Sequence, residues 1–290
     1  MNSTTLPAPM LSDKRNAHRS SLLIAFSAYL RYNTVMTQRT FKSILITGAS
    51  SGIGHAVALE FAKQDVHLTI TGRHTDRLHA LEAQLVAKGA SVTAQILDVV
   101  DRSAMTEMAR DAEANNPFDL VIANAGIASS PNDDTPAEEL ICDIFSINLA
   151  GVLNTVLPAA TLMRARGAGH IAIVSSIAGL RGLPTAPAYS ASKVAVKAWG
   201  EAMRPQLAAD GVGMTIIIPG FVESRITDAN TFPMPFIMPA EKAAKIIVSG
   251  LQRRKRTIAF PWQMVWLMRC LTSLPGPIFD AVLSRGPKKA

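Results

Sequence analysis

A tyrosine and a lysine four residues apart form the clearest candidate for a proton-transfer pair. Tyr189 and Lys193 lie in the segment Tyr-Ser-Ala-Ser-Lys, a spacing that places both side chains on one face of a helix. A free phenol has a pKa of about 10 and is a poor base at neutral pH. Since a nearby ammonium favours the phenolate, Lys193 is predicted to lower the pKa of Tyr189. The pair alone says little, because such spacing occurs by chance on many helices.

Two serines precede this pair at the end of an apolar run. A serine hydroxyl can donate a hydrogen bond to a substrate oxygen and stabilise the charge that develops on it. Ser176 lies thirteen residues before Tyr189, and Ser175 is the adjacent candidate. The thirteen-residue spacing favours Ser176.

A glycine-rich turn follows the first predicted strand, Ile44–Thr47. Glycine lets the backbone approach a pyrophosphate closely, and the helix behind it adds free N–H groups and a positive dipole end. No Gly-Lys-Ser/Thr follows, so this is not a Walker A loop. The alternative is a tight turn without a ligand. The residues of the predicted dinucleotide-binding turn are Thr47, Gly48, Ser50, Ser51, Gly52, Ile53 and Gly54.

The second predicted strand ends where a dinucleotide site would contact the adenosine ribose. An acidic residue there would bond the ribose hydroxyls and repel a 2′-phosphate. This chain has Gly72 and then Arg73, which leave room for the phosphate and supply a cation for it. Arg73 therefore favours NADP(H) as cofactor, with NAD(H) as the second choice. The alternative is an ordinary solvated arginine.

The spacing of apolar residues along the chain indicates which strands and helices position these residues. Apolar, β-branched runs alternate with amphipathic stretches of twelve or more residues. Strands are predicted at 44–47, 67–71, 92–97, 120–123, 171–174, 214–218 and 257–260, and helices at 53–63, 76–88, 104–114, 138–164 and 188–209. Arg204-Pro205 predicts a kink or an end in the last helix. The pattern predicts an α/β fold: a single Rossmann-type doubly wound parallel sheet of about seven strands with helices on both faces.

The charge of the chain is concentrated at its ends. The 290 residues carry a net charge of +7, but the stretch 41–250 holds 16 basic and 20 acidic residues. A groove-binding basic face is not indicated, so no nucleic-acid partner is predicted. We expect an N-terminal extension outside the core at 1–40, a catalytic domain at 41–256 and an apolar, basic C-terminal extension at 257–290. Two cysteines cannot build a disulfide framework, which favours a reducing compartment, and the histidines show no metal-ligand spacing.

The ordered set of motifs over about residues 42–250 resembles the classical short-chain dehydrogenase/reductase family. The turn Thr47–Gly54 is similar to that family's TGxxxGIG element. Tyr189, Lys193 and Ser176 match three members of its catalytic tetrad, and Asn148 matches the fourth. Further matching segments are Leu97-Asp98-Val99, Asn124-Ala125-Gly126 (with Ala123 where Asn is usual) and Pro219-Gly220-Phe221-Val222, with Ser224 where Thr is commoner.

The resemblance implies a hydride transfer between nicotinamide and an alcohol/carbonyl substrate. It implies that Tyr189 is the general acid/base, that Lys193 also holds the nicotinamide ribose and that Asn148 holds a water linked to Lys193. The further cofactor contacts that it implies are Asp98, Val99, Asn124, Ala125, Gly126, Pro219, Gly220, Val222 and Ser224. It also implies a homodimer or homotetramer in the cytoplasm. The alternative is a non-catalytic dinucleotide-binding sensor or scaffold of the same fold.

Two apolar segments bear on the substrate. Residues 231–238 combine Phe, Met and Pro where this family places its substrate-covering segment, which predicts an apolar small-molecule substrate. The tail holds Trp262 and Trp266 between basic residues, as in a helix that lies on an anionic membrane surface. The competing interpretation is a tail packed on the substrate side or on a second subunit. No uninterrupted apolar run of 18 residues occurs, so no transmembrane helix is predicted.

Overall fold

Strands and helices alternate along the chain in the computed structural model, which describes residues 39–128, 136–228 and 233–284. The strands are β1 (Ser43–Thr47), β2 (His67–Gly72), β3 (Ser91–Ile96), β4 (Leu120–Ala123), β5 (Gly169–Val174), β6 (Val212–Pro219) and β7 (Thr257–Phe260). The helices are α1 (Gly52–Phe61), α2 (Thr75–Ala87), α3 (Arg102–Asn115), α4 (Ala137–Phe145), α5 (Gly151–Ala165), α6 (Pro187–Ala209), α7 (Arg225–Asp228), α8 (Ala240–Gln252), α9 (Trp262–Thr272) and α10 (Gly276–Ser284). A π-helical turn, Ser146–Ala150, joins α4 to α5, and a 3₁₀ turn, Ile177–Gly179, follows β5.

Some predicted segments lie outside the described residues. These are residues 1–38 of the N-terminal extension, Thr231 and Phe232 of the substrate segment, and the basic end from Arg285 onwards.

The seven strands form one parallel sheet in the order β3-β2-β1-β4-β5-β6-β7. The chain builds outward from β1 to β3 and then returns to place β4 on the other side of β1. In sheets of this kind the crevice beyond the carboxyl ends of the two central strands is the ligand site. The prediction of a doubly wound parallel sheet with helices on both faces is confirmed.

Both faces of the sheet are buried, as the uninterrupted apolar strands predict. Ile44 and Ile46 of β1 pack with Leu68 in one core cluster, beneath α1, α2 and α8. Leu45 points the other way and packs with Val121 in a second cluster, beneath α3, α5, α6 and α9. Each such side chain stabilises the fold by about 1.5–3 kcal/mol.

The sheet continues past the domain boundary predicted at residue 256. β7 pairs with β6, with Ile258 opposite Ile217. Helix α9 then buries Met264, Val265 and Met268 in the second core cluster. The first part of the predicted C-terminal extension is therefore part of the catalytic fold.

Helix α6 does not end at Pro205 but continues to Ala209. The preceding side chain fastens this part of the helix to its neighbours, because Arg204 donates to the carbonyl oxygens of Met214 (3.3 Å) and Arg256 (2.9 Å). Leu207, beyond the proline, is fully buried. Tertiary packing of this kind overrides the local cost of an interior proline.

Within the described residues, the stretch Ala137–Ala165 is long and apolar enough to cross a membrane, with a mean hydropathy of 1.8 in its 18-residue window. It comprises α4, the π-helical turn and α5. Val152 and Val156 of this stretch lie in the second core cluster. Length and composition of this kind are shared by core helices of globular domains.

His170 in β5 is fully buried beside the base of the sheet. Its Nε2 lies 2.8 Å from the Thr215 hydroxyl oxygen. Burial, with the charges of Arg254 and Arg39, lowers the pKa of His170 from 6.5 to about 3. The unfolded chain therefore binds one more proton than the folded chain between these two pH values.

We expect this histidine to make the fold sensitive to acid. Since the folded-state pKa is depressed, the free energy of unfolding rises with pH up to about 6.5 and is lost as the pH falls below it. Between pH 7.5 and 5.5 the loss from this one group is about 1.4 kcal/mol. Urea unfolding of the wild type and of His170→Asn at both pH values measures it. An equal decline in the two proteins would contradict the assignment.

Candidate active site

The predicted site residues gather at one edge of the sheet, because the strands are parallel and each residue follows a carboxyl end. Thr47 to Gly54 span the end of β1, the turn and the start of α1. Arg73 follows β2, and Asp98 and Val99 follow β3. Asn124, Ala125 and Gly126 follow β4, Ser176 follows β5, and Pro219, Gly220, Val222 and Ser224 lie at and beyond the end of β6; Asn148 lies in the π-helical turn, and Tyr189 and Lys193 in α6.

Two positions of the first turn require glycine. Gly48 has φ of +66°, and a Cβ there would lie 2.7 Å from Ala125 Cα. Gly52 has φ of +57°, and a Cβ there would lie 2.9 Å from Ser224 Cβ. Any side chain would thus meet the neighbouring segments after β4 and β6, and the same cradle lets a phosphate approach the backbone.

Asn124 fastens this turn to the end of β4. Its Nδ2 donates to the carbonyl oxygens of Thr47 (3.0 Å) and Gly48 (3.2 Å). In return the Thr47 hydroxyl accepts from the backbone N–H groups of Asn124 (3.1 Å) and Ala125 (3.3 Å). Ser51, the N-cap of α1, makes no side-chain cap bond, and the first turn of α1 carries no acidic residue. The positive end of the helix is therefore available to an anionic group.

The Ser176 hydroxyl lies near enough to the Tyr189 phenol to influence its pKa. Ser176 is the N-cap of the 3₁₀ turn, where its Oγ accepts from the Ala178 N–H at 3.1 Å. Burial raises the pKa of Tyr189, and the neighbouring Ser176 hydroxyl offsets part of that rise. The phenol is therefore protonated at neutral pH.

This direction of the Tyr189 pKa corrects the sequence-based prediction that Lys193 lowers it. Lys193 Nζ lies 5.7 Å from the centre of the phenol ring and donates to the Val174 carbonyl oxygen at 3.1 Å. Lys193 is itself buried, and burial lowers its pKa from 10.5 to about 8. Desolvation of both groups outweighs their mutual attraction.

Lys193 lies against two other site residues. A Cβ built on Gly126 would lie 3.2 Å from Lys193 Nζ and 3.0 Å from Asn148 Oδ1. The segment after β4, the π-helical turn and α6 thus meet around the lysine amine. The structure brings together the four residues that sequence analysis assigned to catalysis.

Ser175 has a different environment from Ser176. Its hydroxyl is buried and donates to the Lys193 carbonyl oxygen at 2.9 Å. It thereby holds α6 against the end of β5. The geometry agrees with the choice of Ser176 as the residue that faces Tyr189.

Asn148 connects two elements through its side chain. Its Oδ1 accepts from the Ile127 N–H at 2.8 Å, and its Nδ2 donates to the Ile127 carbonyl oxygen (2.8 Å) and the Ser192 hydroxyl (3.1 Å). Ser192 in turn donates to the Tyr189 carbonyl oxygen at 2.7 Å. The side chain of Asn148 therefore orients the backbone around Tyr189.

A cluster of basic side chains lies at the end of β2, and sequence analysis identified only one of its members. Loss of hydration and the charges of Arg77, Arg225 and Arg73 lower the pKa of the exposed His74, so these arginines are near enough to act on it electrostatically. Arg77 follows Arg73 by four residues, a spacing that could have identified it. Arg225 comes from α7, and its position in the sequence gave no such indication.

Two members of this cluster differ in how they are paired. Arg73 forms an exposed ion pair with Asp98 at 3.4 Å, and exposed pairs of this kind contribute about 0.2–1 kcal/mol. The Arg77 Nε is buried without a hydrogen-bond partner among the described residues. A buried unpaired donor costs free energy, which an acceptor such as a phosphate oxygen would recover.

The described residues contain no group of three or more His, Cys, Asp or Glu side chains that could hold a metal ion. A glycine cradle at a helix N-terminus, a basic cluster beyond it and the half-buried Tyr189 beside the buried Ser176 and Lys193 are the arrangement of a nicotinamide-dinucleotide-binding oxidoreductase.

Two relatives are similar to this chain over most of its length. The chain is 38% identical over 252 residues to an uncharacterized oxidoreductase of Myxococcus xanthus, an alignment that covers 86% of this chain and 99% of that protein. It is 28% identical over 252 residues to a 3-dehydrosphinganine reductase of Arabidopsis thaliana, covering 82% of this chain and 75% of that protein.

Two solved structures share the fold. A short-chain dehydrogenase/reductase from Burkholderia phymatum in complex with NAD superimposes with a TM-score of 0.73 at 25% identity, covering 88% of this chain and 99% of that one. A short-chain dehydrogenase from Sphingobium yanoikuyae in complex with NADPH superimposes with a TM-score of 0.69 at 24% identity, covering 81% of this chain and 97% of that one. The second likeness bears on the fold alone.

The sequence model of the short chain dehydrogenase family matches residues 42–232. The match spans more than half of the 290 residues and contains all four catalytic candidates. This chain therefore belongs to the short-chain dehydrogenase family of oxidoreductases.

The two serines provide a matched pair of variants. We expect Ser176→Ala to lower kcat by roughly 10²–10³-fold, because it removes the donor to the substrate oxygen. Ser175→Ala should lower kcat by less than about tenfold and the free energy of unfolding by about 1 kcal/mol. Steady-state kinetics on one carbonyl substrate and urea unfolding of both variants measure this. A larger kcat loss in Ser175→Ala would reverse the assignment.

Proposed function

We propose that this protein is an NADP(H)-preferring oxidoreductase that transfers a hydride between nicotinamide and an apolar alcohol/carbonyl substrate. The observation that carries the proposal is the meeting of Tyr189, the nearby Ser176 hydroxyl and the buried Lys193, whose Nζ lies 5.7 Å from the centre of the phenol ring. Ser176 donates to the substrate oxygen, and Tyr189 donates its proton to the same oxygen when a carbonyl is reduced.

The raised pKa of Tyr189 favours the reducing direction. A neutral phenol is the proton donor that carbonyl reduction needs, whereas alcohol oxidation needs the phenolate as base. Lys193, with a pKa of about 8, stays largely protonated at neutral pH and stabilises the phenolate once the proton has left. Asn148 holds the Tyr189 backbone in place through Ser192.

The carboxyl edge of the sheet fits a nicotinamide dinucleotide. The cofactor, when bound, supplies or accepts the hydride. The backbone at Gly48 and Gly52 and the start of α1 would hold its pyrophosphate. Asp98 and Val99 after β3 would border the adenosine of the bound cofactor, and the segment Asn124–Gly126 would border its nicotinamide half.

The basic cluster at the end of β2 supports the preference for NADP(H). A 2′-phosphate adds a dianion to the ribose, and the charges of Arg73, Arg77 and Arg225 all act at His74, which follows the end of β2. The phosphate would replace the exposed Asp98 as partner of Arg73 and would reach the unpaired Nε of Arg77. These cations favour the phosphorylated cofactor. The residue directly after Gly72 is Arg73 and not an acidic residue, which favours it further.

The segment before α8 supports an apolar substrate. Its described part exposes Phe236 and Ile237, and Met238 is buried against the fold. Backbone bonds fix this segment, since the Met238 N–H donates to the Phe221 carbonyl oxygen at 3.1 Å and the Glu223 N–H to that of Met238 at 3.0 Å. The Arabidopsis relative is named a 3-dehydrosphinganine reductase. We therefore propose a ketone or aldehyde with an alkyl chain.

A series of ketones of increasing chain length tests both parts of this proposal. With NADPH, we expect kcat/KM of the wild type to rise with chain length. Tyr189→Phe should lower kcat by roughly 10²–10⁴-fold on every member, because the proton donor is gone, while the Kd for NADPH changes less than about twofold. Retained turnover in Tyr189→Phe would refute its role. NADPH binding without turnover of any ketone by the wild type would favour the dinucleotide sensor.

The cofactor preference depends on the basic cluster. We expect Arg73→Ala and Arg225→Ala each to raise the KM for NADPH by about tenfold or more, because each removes a charge-assisted bond to the 2′-phosphate. The KM for NADH should change less than about twofold. Arg110→Ala, an exposed arginine of α3 outside the cluster, is the matched control. Equal changes for both cofactors would show that these arginines do not contact the phosphate.

A further inference from the structure

Helix α9 has one buried face and one exposed aromatic face. Met264, Val265 and Met268 are buried in the second core cluster. On the opposite side Trp262 is 73% exposed and Trp266 is 65% exposed, and they lie one helical turn apart. Leu267 is exposed beside them. Side chains of this size are rarely left in water at two successive turns without a partner. We call Trp262, Trp266 and Leu267 the α9 face.

The α9 face borders the substrate side of the fold. Its helix begins beside the segment after β6, since a Cβ on Gly220 would lie 2.8 Å from Pro261 Cδ and 3.3 Å from Met264 Sδ. Met238, the last residue of the predicted substrate segment, forms backbone hydrogen bonds with Phe221 and Glu223, which closely follow Gly220. The exposed Phe236 and Ile237 therefore belong to the same end of the molecule as the start of α9.

The far end of α9 is held by the loop that follows the catalytic serine. Arg181 donates to the carbonyl oxygens of Thr272 (3.1 Å) and Leu274 (3.0 Å). Its guanidinium also lies 3.9 Å from the centre of the Phe279 ring in α10. Both ends of the helix are thus fixed to segments that adjoin the active site, so the α9 face has a defined orientation relative to it.

The sequence from α9 onwards is mostly basic in its charged residues. Helix α9 carries Arg269, which is exposed, and no acidic residue. Asp280 is the one acidic residue of the sequence after residue 256, against Arg269 and three basic residues that follow α10. Those three, Arg285, Lys288 and Lys289, lie outside the described residues. Aromatic side chains bordered by cations match the interface of an anionic bilayer.

We propose that the α9 face docks this protein peripherally on an anionic phospholipid surface. Trp262, Trp266 and Leu267 enter the interfacial layer, while Arg269 contacts the lipid phosphates. The face adjoins the substrate segment, so docking places the substrate entrance at the bilayer, where apolar carbonyl compounds concentrate. This last step rests on the proposed function, whereas the docking does not.

A second copy of the chain is a less suitable occupant. A symmetric contact through the α9 face would bring the same basic residues of both copies together. Like charges placed opposite each other across an interface oppose association. A lipid surface with anionic headgroups instead complements them.

Vesicle flotation of the full chain tests the docking. We expect the wild type to float with vesicles of phosphatidylcholine and phosphatidylserine, and much less with phosphatidylcholine alone. Trp262→Ser/Trp266→Ser should lower the bound fraction at least about tenfold, because each aromatic side chain can bury roughly 150–250 Å². Val86→Ser, which replaces an exposed apolar residue of α2, should bind like the wild type.

Two further measurements separate the outcomes. Turnover of a water-soluble ketone by the double Trp variant should match the wild type, which shows that it is folded. Light scattering should give the same mass for both proteins. Equal flotation of wild type and double variant, absent flotation of the wild type, or a drop in mass on removal of the Trp pair would overturn the proposal. Flotation without turnover of any carbonyl compound would contradict the proposed function and leave the docking intact.

Discussion

The parallel direction of all seven strands is the constraint on which the site depends. It sends every strand toward the same edge, so residues that follow β1 to β6 meet there although they come from all parts of the chain. The order of the strands opens a crevice between β1 and β4, and the bonds between Asn124 and the Thr47–Gly48 backbone close its floor. A cofactor can lie across this crevice only because both halves of the sheet end at the same level.

Burial at this edge determines the proton chemistry in a way that charge alone does not. Taking Tyr189 out of water disfavours its phenolate, and taking Lys193 out of water disfavours its ammonium. The two shifts move the pKa of Tyr189 up and that of Lys193 down, which disfavours an ion pair of phenolate and ammonium. The result is a neutral phenol beside an amine that is still largely protonated at neutral pH, an arrangement suited to giving up a proton to a carbonyl oxygen.

Much of the fold could be predicted from sequence, because the strands are short apolar runs bounded by polar residues. β4 and β7 begin and end where those runs predict. The continuation of α6 past Pro205 could not be predicted, because it depends on bonds from Arg204 to distant backbone. The four candidate catalytic residues were selected through their order and spacing. The direction of the Tyr189 pKa was not, because burial is a property of the folded chain and the sequence shows only which residues are neighbours along it.

The positions of the cations are more informative than the net charge of +7. Arg73, Arg77 and Arg225 come together only in the fold, on an edge that belongs to an otherwise mildly acidic body. The concentration of positive charge there follows from where the helices α2 and α7 begin, not from local composition. Arg269 differs, since it lies on α9, the helix that exposes Trp262 and Trp266 and buries its inner face in the core. The start of α9 lies beside Gly220, which follows β6, so the fold that brings the site residues together also fixes the direction in which the aromatic surface faces.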